Sequence, residues 1–223
     1  MQDQPADVTW TDAGVPVSAQ FDDPYYSMAD GLAETRHVFL SGNHLPQRFR
    51  PGFVMAELGF GTGLTLLSAL LAWRAAGIGG PLRFVSFEAY PLGTGDMDRA
   101  LAVFPEVAGP AAEVMQQLGR GKSAVSLEDL EFTLVVGDAR RTVRKWTEEA
   151  DAWCLDGFSP AKNPELWEPE LMADVARHTA PGGTFATYTA AGHVRRGLAD
   201  AGFEVTRCPG FGRKRHMSRG ILR

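Results

Sequence analysis

The chain has 223 residues, of which 44% are hydrophobic and 22% charged, a composition that is ordinary for a globular protein and sufficient for one substantial domain. The net charge of −5 argues against a generally basic nucleic-acid binder, although it allows a local basic patch. No apolar run reaches the length of a membrane span, and the first residues lack the features of a signal peptide. Because there are only two cysteines, Cys154 and Cys208, we expect a cytoplasmic protein without a disulfide framework.

The first fifty residues precede the first strand of the predicted sheet. Residues 8–11 and 15–18 are predicted to pair as a small hairpin. Asp30 is suited to cap a helix that runs to about Ser41. Because this segment is too small for a domain, residues 1–50 are predicted to be an extension that covers one end of the sheet.

From residue 51 onward, strands alternate with helices. Strands are predicted at 53–57, 82–88, 130–136, 152–155, 184–188, 203–206 and 216–222, and helices at 64–76, 97–104, 111–118, 140–149, 166–178 and 194–201. This alternation predicts a mostly parallel sheet with helices on both faces. Because only a short loop joins the last two strands, they are predicted to be antiparallel. The expected fold is therefore a seven-stranded, Rossmann-like α/β domain over residues 51–223.

A glycine-rich turn follows the first strand of this sheet. Its residues read Glu57-x-Gly59-x-Gly61-Thr62-Gly63. The spacing differs from the dinucleotide fingerprint, and the absence of a Lys-Ser or Lys-Thr pair excludes a phosphate-binding P-loop. An acid two positions before the first glycine is typical of motif I of class I S-adenosylmethionine (SAM) methyltransferases. The alternative is a tight turn in an unrelated α/β protein.

Acidic residues occur at or near four successive strand ends, where α/β sheets bind their ligands: Glu57, Glu88, Asp138 and Asp156. Glu88 is placed to accept hydrogen bonds from the ribose hydroxyls of a nucleoside. Asp138 has two interpretations that are compatible with each other, acceptor for an adenine amino group and N-cap of the next helix. Glu57 is predicted either to hold the methionine amino group or to fix the glycine turn.

The stretch 156–167 carries the strongest signal for chemistry. Two prolines, a glycine and an asparagine predict a rigid loop directly after the fourth strand, which in class I methyltransferases faces the methyl group. A carboxylate at this position can accept hydrogen bonds from the N–H groups of an amine and so direct the nitrogen lone pair at the methyl group. Asp156 is therefore predicted to be catalytic. The alternative is that Asp156 only orders the loop. Further substrate contacts are predicted for Phe158, Pro160, Lys162 and Asn163.

Aromatic and basic residues supply the remaining candidates. Tyr25 and Tyr26 are suited to stack on adenine or on a substrate base, or to cover the end of the sheet. The dense basic clusters follow the late strands, at the expected active-site end, and are predicted to contact phosphates rather than form a solvated face. Their members are Arg195, Arg196, Arg213, Lys214 and Arg215. The five histidines lack metal-ligand spacing, so no metal is predicted.

Several longer motifs together identify a family. They are Phe21-Asp22-Asp23-x-Tyr25-Tyr26-Ser27, residues 34–43, the glycine turn, residues 155–164, residues 183–192 and residues 210–215. On these motifs the sequence resembles, over almost its whole length, the methyltransferase domain of the bacterial tRNA 5-methylaminomethyl-2-thiouridine biosynthesis enzymes, of the MnmC type and the stand-alone MnmD type.

The resemblance implies SAM-dependent N-methylation of 5-aminomethyl-2-thiouridine at the tRNA wobble position. Tyr25 and Thr62 join the glycines and acids named above as expected cofactor contacts. The chain shows no second glycine fingerprint, so no flavin domain is expected in it. One alternative is a SAM methyltransferase for a small-molecule amine, which the acidic net charge favours. Another is a catalytically silent RNA-binding or scaffold protein, although such a protein has no need of a carboxylate at position 156.

Overall fold

A twisted central sheet organises the computed structural model, which describes residues 6–27, 30–119 and 121–223. A three-stranded sheet precedes it, formed by β1 (Val8–Trp10), β2 (Pro16–Ser18) and β3 (Asp23–Pro24). The strands of the central sheet are β4 (Val54–Leu58), β5 (Leu82–Glu88), β6 (Ala124–Leu127), β7 (Leu130–Val136), β8 (Ala150–Leu155), β9 (Thr179–Thr187), β10 (Phe203–Pro209) and β11 (His216–Leu222).

The helices are α1 (Gly31–Thr35), α2 (Leu64–Ala76), α3 (Thr94–Leu101), α4 (Ala108–Leu118), α5 (Ala139–Lys145), α6 (Pro169–Arg177) and α7 (Gly192–Asp200). A π-helical turn spans Arg36–Leu40, and 3₁₀ turns span Ser41–Asn43, Pro105–Val107 and Pro164–Trp167. No helix in the described part of the chain is both long and apolar enough to cross a membrane.

The strand order of the central sheet is β10-β11-β9-β8-β4-β5-β7-β6. Strands β4, β5, β7, β8 and β9 pair in parallel, and β11 pairs antiparallel with both β9 and β10, as predicted for the last two strands. From β4 the chain goes first to β5 on one side and later to β8 on the other. This switch in order opens a crevice at the carboxyl ends of the strands, where such sheets bind ligands.

The sheet has eight strands within the described residues, so the prediction of seven was wrong. The additional strand, β6, pairs antiparallel with β7 across a two-residue turn at Glu128 and Asp129. Its sequence gives little signal because it has four residues and only Val125 is buried. Pairing with β7, rather than its own apolar pattern, makes this segment a strand.

Several element boundaries also differ from the prediction; for example, α3 and α5 end three and four residues earlier than expected. Strand β4 continues through Leu58, which places Glu57 inside the strand. Strand β9 starts at Thr179 rather than at residue 184, and its register with β8 shifts between Ala150 and Ala152. Asp30 does cap α1, because its Oδ1 accepts from the Ala33 amide at 2.9 Å, but the predicted helix changes to a π-helical turn after Thr35.

Two apolar clusters hold the sheet between its helical layers. On one face, α2 buries Leu66, Leu67, Leu70 and Trp73 almost completely. The other face is covered by α6 and its neighbours α5 and α7. Burial on both faces stabilises the parallel strands and fixes the strand ends that bear the acidic residues.

Candidate active site

A cleft of about 640 Å³ opens beyond the carboxyl ends of β4, β5, β7 and β8, and the N-terminal segment around residues 20–39 forms its opposite wall. The predicted site residues that line it are Tyr25, Gly59, Gly61, Glu88, Asp138, Asp156, Phe158, Asn163 and Lys214. The predicted residues outside its lining are Glu57, Thr62, Gly63, Pro160, Lys162, Arg195, Arg196, Arg213 and Arg215. Thr62 lines a small recess next to the cleft, which Asp156 also borders.

The glycine turn forms a cradle that side chains would fill. Gly59, Gly61 and Gly63 all have positive φ angles, of 81°, 52° and 80°. A Cβ atom on Gly59 would lie 2.9 Å from the backbone oxygen of Asp156, and one on Gly61 would lie 3.3 Å from the ring of Tyr25. The turn therefore lies so close to the Asp156 backbone on one side and to the Tyr25 ring on the other that only glycine fits at position 59.

Backbone amides orient the carboxylate of Glu88. The Gly61 amide donates to its Oε2 at 3.2 Å, and the Tyr90 amide donates to its Oε1 at 2.8 Å. A carboxylate has about four lone-pair sites, so these two bonds leave acceptor capacity toward the cleft. Glu88 is thus a fixed acceptor beside the glycine cradle.

Glu57 lies beneath the cradle and is fully buried. Ser86 Oγ donates to its Oε2 at 2.7 Å, and Oε1 has no hydrogen-bond partner among the described residues. Burial raises the pKa of Glu57 well above its usual range, although the Ser86 hydrogen bond opposes that shift. The carboxyl of Glu57 is therefore tied to β5, and its predicted role, at the methionine amino group or in fixing the turn, stays a prediction.

Asp138 is the N-cap of α5. Its Oδ1 accepts from the Arg140 amide at 3.0 Å, and the Arg140 guanidinium donates to Oδ2 at 2.8 Å. These hydrogen bonds lower the pKa of the Asp138 carboxyl. The capping role predicted from the sequence is present, and Arg140 competes for the oxygens that an adenine amino group would use.

Asp156 is half-buried at the floor of the cleft, directly after β8. Burial raises its pKa to about 7, and the negative charges of Glu34 and Glu88 act in the same direction. The Gly157 amide, which donates to Oδ1 at 2.8 Å, and the Lys214 ammonium act against this shift. Asp156 is consequently a carboxylate that exchanges a proton near neutral pH.

The loop that follows Asp156 is held from the side of the sheet. The Tyr188 hydroxyl donates to the Gly157 carbonyl at 2.8 Å. The Trp167 indole donates to the Phe158 carbonyl at 3.0 Å. The hydrogen bonds from Tyr188 and Trp167 thus reinforce the loop rigidity that the prolines predict.

The N-terminal segment holds the same loop from the other side. Lys162 Nζ contacts both the backbone oxygen and the carboxylate of Asp22, and the Ser159 amide donates to Asp23 Oδ2 at 2.8 Å. The Phe158 and Phe21 rings stack with centroids 4.8 Å apart. We call these contacts the clamp. In this arrangement Lys162 joins two walls of the cleft.

The two tyrosines of the N-terminal segment differ in surroundings. Tyr25 lies over Gly61 and contacts the edge of the Phe158 ring, with centroids 5.1 Å apart. Burial raises its pKa, so it is a neutral aromatic wall. The Tyr26 hydroxyl donates to the Ala100 carbonyl at 3.0 Å, and Tyr26 also lines the cleft, so both of its predicted roles stay predictions.

Of the basic candidates, Lys214 alone lines the cleft. Arg213 and Arg215 are exposed on the loop between β10 and β11, and Arg196 is exposed on α7. Arg195 is half-buried, and its Nε donates to the Ala190 carbonyl at 3.3 Å. The exposed arginines are accessible to an anionic surface, and Lys214, whose side chain is also 46% exposed, in addition lines the cleft.

Glu34 and Tyr188 were not predicted as site residues. Glu34 is only 8% exposed, and Tyr188 directly follows β9. Both line the cleft, and each faces Lys214. The expectation that residues at strand ends line the ligand site would have found Tyr188 if it had been applied to aromatic as well as acidic residues. Glu34 lies in a helix far from any strand end. Across the described residues, no group of three or more histidine, cysteine or acidic side chains is arranged to hold a metal ion.

The chain is similar to known proteins over almost its whole length. The model of a family described as S-adenosyl-L-methionine-dependent methyltransferase matches residues 106–223. The chain is 44% identical over 230 residues to the tRNA 5-methylaminomethyl-2-thiouridine biosynthesis bifunctional protein MnmC of Stutzerimonas stutzeri, a match that covers 98% of the chain and 35% of that protein. A protein of the same name from Caulobacter vibrioides is 47% identical over 220 residues, which covers 95% of the chain and 37% of that protein.

The chain thus spans about one third of the length of these curated relatives. Among solved structures, MNMC2 from Aquifex aeolicus matches with a TM-score of 0.77 and 24% identity, over 100% of the chain and 72% of that structure. This likeness shows that the two chains share a fold.

Proposed function

Because the chain belongs to a family of S-adenosyl-L-methionine-dependent methyltransferases, we propose that it methylates the amine of 5-aminomethyl-2-thiouridine at the wobble position of tRNA. The names of the relatives point to this modification. The observation that carries the proposal is Asp156, a carboxylate that titrates near pH 7 at the floor of a cleft large enough for a cofactor and a base. We expect the reaction to take place in the cytoplasm.

The cleft suits SAM as its resident cofactor. Gly59 and Gly61 line the cleft without side chains, which lets the backbone approach a ligand closely, and Glu88 would accept hydrogen bonds from the ribose hydroxyls. Asp138, with Arg140 beside it, would then lie next to the adenine. We expect Thr62, which lines the recess next to the cleft, to lie near the methionine part, and the buried Oε1 of Glu57 would be available to its amino group only from beneath the turn. When bound, SAM supplies an electrophilic methyl group on its sulfonium.

The residues of this chain would then prepare the amine. A primary alkyl amine is largely protonated at neutral pH, and an ammonium has no lone pair with which to attack. Asp156 is placed to take that proton and to hold the remaining N–H groups so that the lone pair points along the line of transfer. The clamp and Tyr188 keep the loop in place, which reduces the ordering needed at the moment of reaction.

The test is incubation of the protein with labelled SAM and tRNA from cells that lack the modification, followed by nucleoside analysis. We expect label in 5-methylaminomethyl-2-thiouridine. The matched control is tRNA in which the wobble uridine carries no aminomethyl group, which should stay unlabelled. Label in the control at another nucleoside would refute the assignment.

A small-molecule amine is the second candidate substrate, favoured by the net charge of −5. It predicts methylation of free amines and none of tRNA in the same assay. The exposed arginines on the β10–β11 loop favour RNA instead. A silent scaffold would give no label with either substrate.

Arg213 and Arg215 are expected to contact tRNA phosphates. Replacing both with Ala should weaken tRNA binding and reduce the slope of log K against log salt by about one unit for each phosphate that is no longer neutralised. Binding measured at several salt concentrations gives this slope. The matched control replaces Lys145 and Arg223, which are exposed at the opposite end of the sheet, and should leave it unchanged. Equal slopes for the wild type and the Arg213/Arg215 double variant would show that these arginines form a solvated face.

A further inference from the structure

An ion pair between Lys214 and Glu34 lies in the wall of the cleft. Lys214 Nζ is 2.9 Å from Glu34 Oε1 and 4.2 Å from the centroid of the Tyr188 ring. The same Tyr188 donates its hydroxyl to the Gly157 carbonyl, next to Asp156, which places the pair close to the reacting end of the cleft. A side chain as buried as Glu34 loses hydration on folding, so its presence calls for a partner of matching chemistry.

The loop that carries Lys214 is fixed rather than free. The Gly210 amide donates to the Arg215 carbonyl at 3.3 Å, and a Cβ on Gly210 would lie only 2.2 Å from the Lys214 carbonyl oxygen. The His37 ring lies 3.2 Å from the Pro209 carbonyl and 5.8 Å from the centroid of Phe211. Lys214 is therefore held in place before any ligand arrives.

The pair also keeps unused hydrogen-bonding capacity. An ammonium has three donors and a carboxylate about four lone-pair sites, so one mutual contact exhausts neither group. Both residues line the cleft, so the pair offers a ligand there a donor next to an acceptor. This pattern complements a ligand edge that bears an acceptor next to a donor.

We propose that Lys214 and Glu34 read the Watson–Crick edge of the target pyrimidine, Lys214 donating to the 4-oxo group and Glu34 accepting from N3–H. This inference rests on the proposed function, because an aminomethyl group on C5 that reaches Asp156 fixes how the ring lies in the cleft. Uracil then presents an acceptor at C4 and a donor at N3, whereas cytosine presents the reverse. A cytosine in that orientation would set its 4-amino group against the ammonium of Lys214.

The simpler role for the pair is to anchor the β10–β11 loop on α1. The two roles differ in one measurable property. An anchor affects every substrate equally, whereas a reader of the base edge changes the ratio between uracil and cytosine substrates. Glu34 is buried, and a buried acceptor that finds no N3–H donor on cytosine disfavours that substrate strongly. The ratio of uracil to cytosine activity is therefore a sensitive measurement.

The experiment uses two anticodon stem–loop RNAs that are identical except for 5-aminomethyluridine or 5-aminomethylcytidine at the target position. Values of kcat and KM are measured for the wild type, Lys214→Met and Lys214→Arg. Lys145→Met is the matched control on the opposite end of the sheet, and His37→Leu loosens the loop anchor without removing the donor. Thermal melting and SAM binding confirm that each variant folds.

We expect the wild type to prefer the uridine RNA. Lys214→Met should lower kcat/KM for that RNA by about 10- to 100-fold, chiefly through KM, and remove most of the preference over cytidine. Lys214→Arg should keep the preference and Lys145→Met should behave as the wild type. His37→Leu should affect both RNAs alike.

A folded Lys214→Met variant that retains the full preference would overturn the inference and leave the proposed function intact. A wild-type enzyme that methylates both RNAs equally would do the same. A wild-type enzyme that methylates only free amines would overturn the proposed function, and this inference with it.

Discussion

Replacing Asp156 with Asn is expected to reduce turnover by about 10²-fold or more, while SAM affinity stays nearly unchanged. The substitution keeps the shape of the side chain but removes the charge and turns one acceptor into a donor. The side-chain NH2 group of Asn would face the N–H groups of the amine, at the position from which the carboxylate oxygen would accept hydrogen bonds from them. Orientation and proton transfer would then be lost together, since both depend on the same carboxylate.

The pH dependence of kcat in the wild type should reveal the titration of Asp156. Because the pKa of Asp156 is raised to about 7, kcat should fall as the pH drops below neutrality and the carboxylate takes up a proton. Protonation of the bound amine acts in the same direction. In Asp156→Asn, alkaline pH should restore part of the activity if proton removal is the lost step, but none if orientation is.

Asp200→Asn is the matched control, since Asp200 is exposed at the far end of α7. Single-turnover methylation of the tRNA substrate and calorimetric SAM titration separate the chemical step from cofactor binding. Near-normal turnover in Asp156→Asn would show that this carboxylate only braces its loop.

Replacing Glu88 with Ala is expected to weaken SAM binding by roughly 1–3 kcal/mol, which is about 10- to 100-fold in Kd. Glu88 is a preorganised acceptor, since two backbone amides hold it in position before the cofactor binds. Its loss would remove the proposed partner of the ribose hydroxyls and would also release the Gly61 amide of the cradle.

Calorimetry gives the affinity directly, and a melting curve without ligand shows whether the variant is folded. Glu170→Ala, at an exposed position of α6, is the matched control. Full affinity in a folded Glu88→Ala protein would remove Glu88 from the cofactor site.

The position of the cleft was predictable because it depends on chain order. Acids at the ends of parallel strands meet at one edge of the sheet, and Glu88, Asp138 and Asp156 do line a common cleft there. Glu57 shows the limit of the rule, since one more strand residue places it beneath the turn instead of in the cleft.

The contacts across the cleft were not predictable in this way. The clamp joins residues about 140 positions apart, and Lys214 meets Glu34 over an even longer separation. No local pattern encodes such pairs, because they arise only when the sheet brings distant loops together. For the same reason Lys214 resembled its exposed neighbours in sequence, although its side chain enters the cleft.

The buried acids below and within the cleft have a cost in conformational stability. The Asp156 carboxyl has a folded-state pKa of about 7 against an ordinary value of 3.8, so the folded protein binds the proton more tightly than the unfolded chain. Its contribution to stability is full below about pH 4 and is lost as the pH rises through 7. The ionised form that the proposed reaction uses is therefore the less stable one.

Asp156→Asn should for this reason melt at a higher temperature than the wild type at pH 8, with the difference shrinking as the pH falls toward 4. Directed evolution that selects only for heat resistance at neutral pH would then tend to recover substitutions at this position. Such a selection would enrich well-folded, inactive proteins, so any thermostabilisation of this enzyme has to be coupled to a screen for methyl transfer.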